Sequence, residues 1–333
     1  MVHLRIVVPA DRCGKVLDLL ETAPSTTNLV FLAGAARQPK GDVVLCDIAR
    51  EDASVLIDDL KELGVARDGS ISLEQIDSQL SDAADRAERA AYGKPSNAVV
   101  WEEVEARTSE STELGGNFLI FMILACLIAS VGLQLDSPIL IVGAMVIGPE
   151  FGPIAALCVA FVERRVDVAR RSLRALVVGF PLGIAAAFLF TVIVKALDLP
   201  PDEFTTTSHP LTNFISNPDS FSFIVAMIAG AAGVLSLTTA KSGALVGVLI
   251  SVTTIPAAAN IGVAAAYGDW SECIGAVEQL AANLAGILLA GILTLYIQRR
   301  TYVRRRAAHI SRSAAGAASS HPQGRPGRMG GDA

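Results

Sequence analysis

The hydrophobic pattern changes abruptly near residue 114. From there to residue 297 the chain carries six long apolar stretches, at 116–135, 138–162, 173–197, 221–240, 243–267 and 275–297. A transmembrane helix needs about 20 consecutive, mainly apolar residues. The pattern therefore predicts an α-helical polytopic membrane protein with six transmembrane helices, which we call spans one to six.

The first 77 residues have the pattern of a small α+β domain. Apolar and β-branched runs at 4–8, 29–33, 43–48 and 70–76 predict strands, and helical spacing at 13–22 and 52–63 predicts two helices. The order βαββαβ is the ferredoxin-like arrangement. We expect this cytosolic domain to sense a small ligand. Because an isolated four-stranded sheet leaves its edges open, we also expect it to hold protomers together in a homo-oligomer.

Two charged segments flank the apolar region. Residues 78–115 predict a surface helix over 82–91 and then a linker broken at Gly93 and Pro95. Residues 299–333 are basic and are predicted to be a disordered tail. The predicted organisation is thus a domain at 1–77, a linker at 78–115, a membrane domain at 116–298 and a tail at 299–333.

The positions of the basic residues predict the orientation. Five arginines lie between residues 163 and 174, Lys241 follows span four, and five more arginines follow span six. The loops after spans one, three and five contain neither lysine nor arginine, and Lys195 can snorkel from the end of span three. The positive-inside rule then predicts a multi-pass protein of the cell (inner) membrane with both termini in the cytoplasm. The segment 3–9 is too short and polar for a signal peptide, which agrees with a cytosolic N-terminal domain.

Composition narrows the possible chemistry. The chain is 52% hydrophobic and 18% charged, with a net charge of −6. Its five cysteines form no CxxC pair and its four histidines are scattered, so we expect no metal site and no cofactor. No hydrolase motif occurs, so we do not expect an enzyme. The basic tail follows a span, which favours a role in topology over binding of nucleic acid.

Spans one to three and four to six resemble two copies of one unit. Ser137-Pro-Ile-Leu-Ile-Val-Gly143 is similar to Ser242-Gly-Ala-Leu-Val-Gly247, about 104 residues later. Since each unit has three spans, the second copy must be inserted upside down. This predicts a 3+3 inverted repeat, as in many secondary transporters, where broken helices meet at mid-membrane.

The segment 147–153 carries the most informative chemistry. It contains Gly148, Pro149, Glu150, Gly152 and Pro153, which should break span two and leave carbonyls unpaired at membrane depth. An acid inside a membrane is a candidate for function. The alternative is structural: a protonated Glu150 that only bonds the loosened backbone.

A matching break is predicted in span five around Pro256. Thr253, Thr254 and Asn260 offer polar groups beside it, and Ser236 and Asn283 could line the same region. We expect the two breaks to meet near the pseudo-twofold axis around one polar cavity. There Glu150 would bind a proton or a cation. The alternative is that these hydroxyl and amide groups only join helices.

Several segments resemble a family of bacterial and archaeal membrane proteins, domain of unknown function 389. The resemblance covers about 102–297 and rests on the residues Gly132-Leu, Asp136-Ser, Gly143-Ala-Met-Val-Ile-Gly-Pro149, Gly152-Pro-Ile154, Gly230-Ala-Ala-Gly-Val-Leu-Ser-Leu237, Gly247-Val-Leu-Ile-Ser251 with Pro256, and Asn283-Leu-Ala285. Glu150 departs from it, because a large apolar residue is usual there, and Ile255-Pro256 replaces a double proline. The resemblance implies an architecture and no activity.

Two functions are compatible with these observations. The first is a transporter or channel for a small solute or ion, regulated by the cytosolic domain. The second is a membrane-bound receptor or scaffold that senses a ligand without transport. A water-accessible cavity at Glu150 and Thr254 would favour the first, and a tightly packed dry bundle beneath a liganded soluble domain would favour the second.

Overall fold

The computed structural model describes residues 1–76, 78–91, 99–110, 114–199, 220–238 and 244–319. The chain divides into two compact units. The N-terminal unit comprises Met1–Pro95 with Gln298–Ala333, and the helical unit comprises Ser96–Ile297.

The N-terminal unit is built on a four-stranded sheet. Its elements are β1 (Val2–Val8), α1 (Ala10–Thr22), β2 (Thr26–Arg37), β3 (Lys40–Ile48), α2 (Arg50–Glu62), α3 (Val65–Asp68), β4 (Ser70–Gln75) and α4 (Asp82–Ala90). The strand order is β2-β3-β1-β4, and all three neighbouring pairs are antiparallel. Every predicted strand and helix of this domain is present, together with the predicted helix of the linker. The predicted break at Gly93 and Pro95 lies outside the described residues.

The alternation along β1 explains the core of this unit. Leu4, Ile6 and Val8 are fully buried, because every second side chain of a strand points to the same face of the sheet. Leu20 of α1 and Leu56 of α2 are buried as well. Each such side chain contributes roughly 1.5–3 kcal/mol by leaving water.

The helical unit contains most of the chain's helices. They are α5 (Trp101–Glu110), α6 (Gly116–Gln134), α7 (Pro138–Ile147), α8 (Phe151–Glu163), α9 (Val166–Ala196), α10 (Ser220–Thr238), α11 (Ala244–Tyr267) and α12 (Trp270–Ser319), the last of which continues into the N-terminal unit. Helix α5 lies where the linker was predicted. It buries Trp101 and Val104 and packs against α8 and α10.

The prediction of a disordered tail from residue 299 is wrong as far as Ser319, because α12 continues to that residue. The extension is rich in alanine and arginine, which have high intrinsic helix propensity. Residues 320–333 lie outside the described part of the chain.

Helix α11 lies inside the bundle, packed against α6, α7, α9 and α10. Glycine permits one of these contacts: a Cβ on Gly262 would lie 2.6 Å from the carbonyl oxygen of Ile184 in α9. The apolar cluster around it includes the fully buried Met122, Ile154 and Ile255. Small residues at helix contacts let the helix backbones approach closely.

Helix boundaries recur in the two halves of this unit. Helices α6 and α10 have 19 residues each and begin 104 residues apart. The ends of α8 and α11 are separated by the same number of residues, and so are the beginnings of α9 and α12. Arg164 follows the end of α8 with φ 58°, and Gly268 follows the end of α11 with φ 75°, so both have a left-handed backbone conformation.

Candidate functional site

A sharp break separates α7 from α8, at the position predicted from the sequence. The two helices are bent by 55° where α7 ends and α8 begins. Pro149 has no N–H group, and it disfavours helical backbone at the preceding residue. Gly148 accordingly adopts φ −56° and ψ 124°, outside the helical region.

Pro153 does not break the helix, although it was predicted to do so. Pro153 is the third residue of α8, and Gly152 is the second. The first N–H groups of a helix have no acceptor within it, so a proline there removes no hydrogen bond. The break therefore depends on Gly148 and Pro149.

Glu150, which ends this break, forms the main contact of the candidate site. The Thr254 hydroxyl of α11 donates a hydrogen bond to Glu150 Oε1 at 2.9 Å, across 104 residues of sequence. Both residues are 0% exposed. The pair is therefore shut off from solvent in this structure.

Both partners lie near the middle of their segments. Helix α7 has 10 residues, so it places Glu150 about 15 Å or more from its beginning. Thr254 lies about 15 Å along α11 from Ala244. A hydrocarbon core is about 30 Å thick, so a pair at this position in membrane-spanning helices would lie near the midplane.

The predicted break at Pro256 is wrong, because α11 is helical on both sides of this residue. A single proline removes one backbone hydrogen bond, which a packed bundle can tolerate. At the α7–α8 junction, by contrast, a glycine precedes the proline and the backbone leaves the helical region. One side of the site is therefore an interrupted helix and the other a continuous one.

The other predicted site residues lie in neighbouring helices. Ser236 of α10, Asn260 of α11 and Asn283 of α12 are buried. Asn283 Oδ1 accepts a hydrogen bond of 3.3 Å from Gln279 Nε2, one turn earlier on α12. The side chain of Thr253 lies outside the described part of the structure.

Sequence reasoning missed a row of polar residues on α6. Cys126, Ser130 and Gln134 are all buried and recur every fourth residue. Ser130 Oγ donates to the Cys126 carbonyl at 2.7 Å, and Gln134 Nε2 donates to the Ser130 carbonyl at 3.2 Å. The four-residue spacing could have identified this row, which we call the α6 polar row.

A second polar cluster lies in the N-terminal unit around Asp47. Its carboxylate contacts His3 Nδ1 at 2.7 Å and accepts hydrogen bonds from Asn28 Nδ2 at 2.6 Å and Gln79 Nε2 at 2.9 Å. Burial raises the pKa of Asp47, but the three hydrogen bonds and the nearby His3 outweigh burial and hold the pKa below its usual value. Since Gln79 belongs to the segment after β4, the cluster ties that segment to the sheet. Within the described residues no group of three or more His, Cys, Asp or Glu side chains is arranged to hold a metal ion.

These features define a class of protein: a mostly helical protein with apolar helices of membrane-spanning length and a small α+β unit. Within the described residues, four helices are long and apolar enough to cross a membrane, and the bent pair α7–α8 brings the number to as many as five. The resemblance predicted from the sequence is confirmed over part of the chain, since residues 145–289 match the family described as "Domain of unknown function (DUF389)". This region contains Glu150 and Thr254.

One curated relative is an uncharacterised protein of Methanocaldococcus jannaschii. It is 25% identical over 203 residues, which cover 59% of this chain. The match spans 58% of the relative's length. No solved structure shows significant similarity to the chain.

Proposed function

We propose that this protein is a transporter or channel for a small solute or ion, with Glu150 and Thr254 at its central site and the N-terminal unit as a cytosolic regulatory domain. The observation that supports this most is the hydrogen bond between Glu150 and Thr254. It joins an acid at a helix break to a hydroxyl in an apolar bundle. An acid at membrane depth is costly and is usually retained for function.

Six spans follow if α11, with 24 residues, is added to the four apolar helices and the bent pair. Lys195 supports the arrangement. Its Nζ lies 4.6 Å from the centre of the Tyr267 ring, which brings the end of α9 to the end of α11. In a six-span topology both ends lie on the outer side, where Lys195 was predicted to snorkel.

An inverted repeat is supported by contacts that recur with the shift of 104 residues seen in the helix boundaries. In the first half Gly183 packs on Cys126, and in the second half Gly230 packs on the backbone of Ile287. Shifting the first pair by 104 residues gives the second pair. The same three-helix unit therefore accounts for both halves.

Contacts between the halves support a twofold relation. Cys158 Sγ lies 3.9 Å from the Leu288 carbonyl, and Gly262 packs on the Ile184 carbonyl. Adding 104 to the number of Cys158 gives Gly262, and subtracting 104 from that of Leu288 gives Ile184. Exchanging the two halves therefore turns the first pair into the second. A simple translation would not produce this exchange, whereas a pseudo-twofold axis does.

The Glu150–Thr254 pair has a special place in this scheme. The two residues are 104 apart, so the exchange maps the pair onto itself. A pair that is its own counterpart lies on the axis. Substrate sites of inverted-repeat transporters occupy that position, which is why we assign the site to this pair.

The charges of the two equivalent turns support the inversion. The turn after α8 carries Arg164 and Arg165, and the turn after α11 carries Gly268 and Asp269. The positive-inside rule places the first turn in the cytoplasm and lets the second lie outside. The protein would then lie in the inner membrane with both termini in the cytoplasm.

For the N-terminal unit we propose a ferredoxin-like fold that regulates the bundle and associates with a second copy. Helix α1 joins β1 to β2 with β3 between them, and α2 lies in the connection of β3 to β4 with β1 between them. The resulting strand order, β2-β3-β1-β4, is that of the ferredoxin-like fold and supports it. Fold alone does not define a ligand.

Flux measurements on the full chain in liposomes test the proposal. A potassium diffusion potential would drive entry, with a pH-sensitive dye and ²²Na⁺ as probes. We expect flux above that of empty liposomes, abolished by Glu150→Gln, which keeps the shape of the side chain, and also by Glu150→Leu. Glu163→Gln, at the other end of α8, is the matched control and should retain the flux. Absence of proton and sodium flux in the folded wild-type protein would contradict a cation transporter and favour the receptor.

A further inference from the structure

We propose that the α6 polar row is the route by which a small hard cation, hydronium included, reaches Glu150 from the side opposite the arginine turn. This inference deepens the proposed function and rests on it. It assigns the charge of the solute and the direction of its access. The residues of the route are Cys126, Ser130 and Gln134.

The geometry of α6 connects the two ends of this route. Eight residues separate Cys126 from Gln134, a rise of about 12 Å along the helix. Cys126 belongs to the same buried cluster as Ile154, one turn after Glu150, and Ile255, next to Thr254, so the inner end of the row lies at the central site. Gln134 is the last residue of α6, so the other end reaches the connection to α7.

Gln134 provides an independent sign of a ligand. Its side chain is 6% exposed, and its Oε1 has no hydrogen-bond partner among the described residues. A buried acceptor without a donor costs about 1–3 kcal/mol. Gln134 Nε2 is already used on the Ser130 carbonyl, so only the amide oxygen of this side chain lacks a partner among the described residues. An oxygen of this kind suits a hard cation, which prefers carbonyl, hydroxyl and carboxylate ligands.

Helix α10, the counterpart of α6 in the second half of the bundle, has no equal of this row. The positions 104 residues after Cys126, Ser130 and Gln134 are Gly230, Val234 and Thr238. Thr238 Oγ1 donates to the Leu235 carbonyl of its own helix at 3.1 Å. The row therefore breaks the pseudo-symmetry of the bundle. A polar row on one side only is expected if it serves access from that side, and is not required for packing the repeat.

Cys126 provides a native probe for the test. The full chain is prepared with Cys126 as its only cysteine and, as a matched control, with Cys158 as its only cysteine. Both thiols are buried in the bundle, but Cys158 lies on another helix, α8, where it contacts Gly291. Ag⁺, a small cation that reacts with thiols, is added to the outside of sealed right-side-out vesicles and, separately, of inverted vesicles. The thiol that remains is counted with a maleimide dye after denaturation.

We expect external Ag⁺ to consume Cys126 and to leave Cys158 intact, and inverted vesicles to react more slowly. Gln134→Leu should slow the reaction of Cys126 by roughly ten- to a hundredfold, the effect of one lost bond to a charged group. Gln134→Glu, which keeps an acceptor oxygen, should preserve the rate.

An unreactive Cys126, equal reaction of both cysteines, or faster reaction from the cytoplasmic side would overturn the route. If Glu150→Gln abolishes flux while Cys126 is unreactive, the transport function stands and only the route is wrong. If Cys126 reacts as expected but Glu150→Gln leaves flux unchanged, the proposed central site is wrong.

Discussion

Replacement of Thr254 by valine isolates the contact on which the proposed site depends. Valine has nearly the same shape but lacks the hydroxyl that donates to Glu150 Oε1 at 2.9 Å. Interhelical hydrogen bonds in a membrane protein contribute about 0.6–1.7 kcal/mol in double-mutant cycles. We expect a coupling energy in this range between Thr254→Val and Glu150→Leu. The valine should therefore cost more stability in the wild-type background than in the Glu150→Leu background.

The four proteins of the cycle can be compared by thermal unfolding in one detergent. Thr294→Val is a matched control, since the Thr294 hydroxyl bonds the Ala290 carbonyl of its own helix at 2.8 Å. The stability lost in Thr294→Val should be the same whether residue 150 is Glu or Leu. Independent sites add within about 0.3–0.5 kcal/mol. Additivity of Thr254→Val with Glu150→Leu inside that margin would refute the contact.

Two further predictions concern packing and pH. Gly262→Ala should destabilise the bundle by roughly 1–3 kcal/mol, the cost of overpacking, since its Cβ would lie 2.7 Å from the backbone nitrogen of Phe188. Gly143→Ala is the control, because a Cβ on Gly143 would have nothing within 4 Å. Equal melting temperatures of the two variants would contradict the close approach at Gly262. Asp47→Asn should lower the stability of the N-terminal unit at neutral pH by about 1–3 kcal/mol, the worth of bonds to a charged group. Because the folded pKa of Asp47 is depressed, its contribution is full above the ordinary value of 3.8 and is lost as the pH falls through the folded pKa. Calorimetry of the full chain in detergent from pH 7 to pH 3 should show a steeper loss for wild type than for Asp47→Asn, and parallel curves would argue against the charge.

The sequence was most informative where one local rule decides the structure. Long apolar stretches predicted the helical segments, because a helix satisfies its own backbone wherever it is placed. The alternation of β1 predicted its buried face for a similar reason. The Gly148-Pro149 pair was sufficient to predict the break between α7 and α8.

Predictions that counted prolines were wrong where the packing or position of the proline decides the backbone structure. Pro256 was predicted to break its span, yet the close neighbours of α11 keep it helical on both sides. Pro153 was counted as a helix breaker, although its position in the first turn makes it harmless. The repeat predicted a polar cavity near Glu150 and Thr254, whereas neither their direct hydrogen bond nor the α6 polar row was predicted. Single Ser, Gln and Cys residues in an apolar span have no pattern until their helix spacing is examined.

The hydrogen bond from Tyr302 to Asp58 has a consequence for how the protein is made. The Tyr302 hydroxyl donates to Asp58 Oδ2 at 2.7 Å, and the two residues are 244 apart in the chain. At about 5–20 residues per second, a ribosome needs roughly 12–50 s to reach the second residue after the first. The surface of α2 that receives Tyr302 therefore stays open while the apolar helices are synthesised. The N-terminal unit begins the chain but is completed last, so protection of α2 from a protease would report that synthesis has passed all the apolar helices.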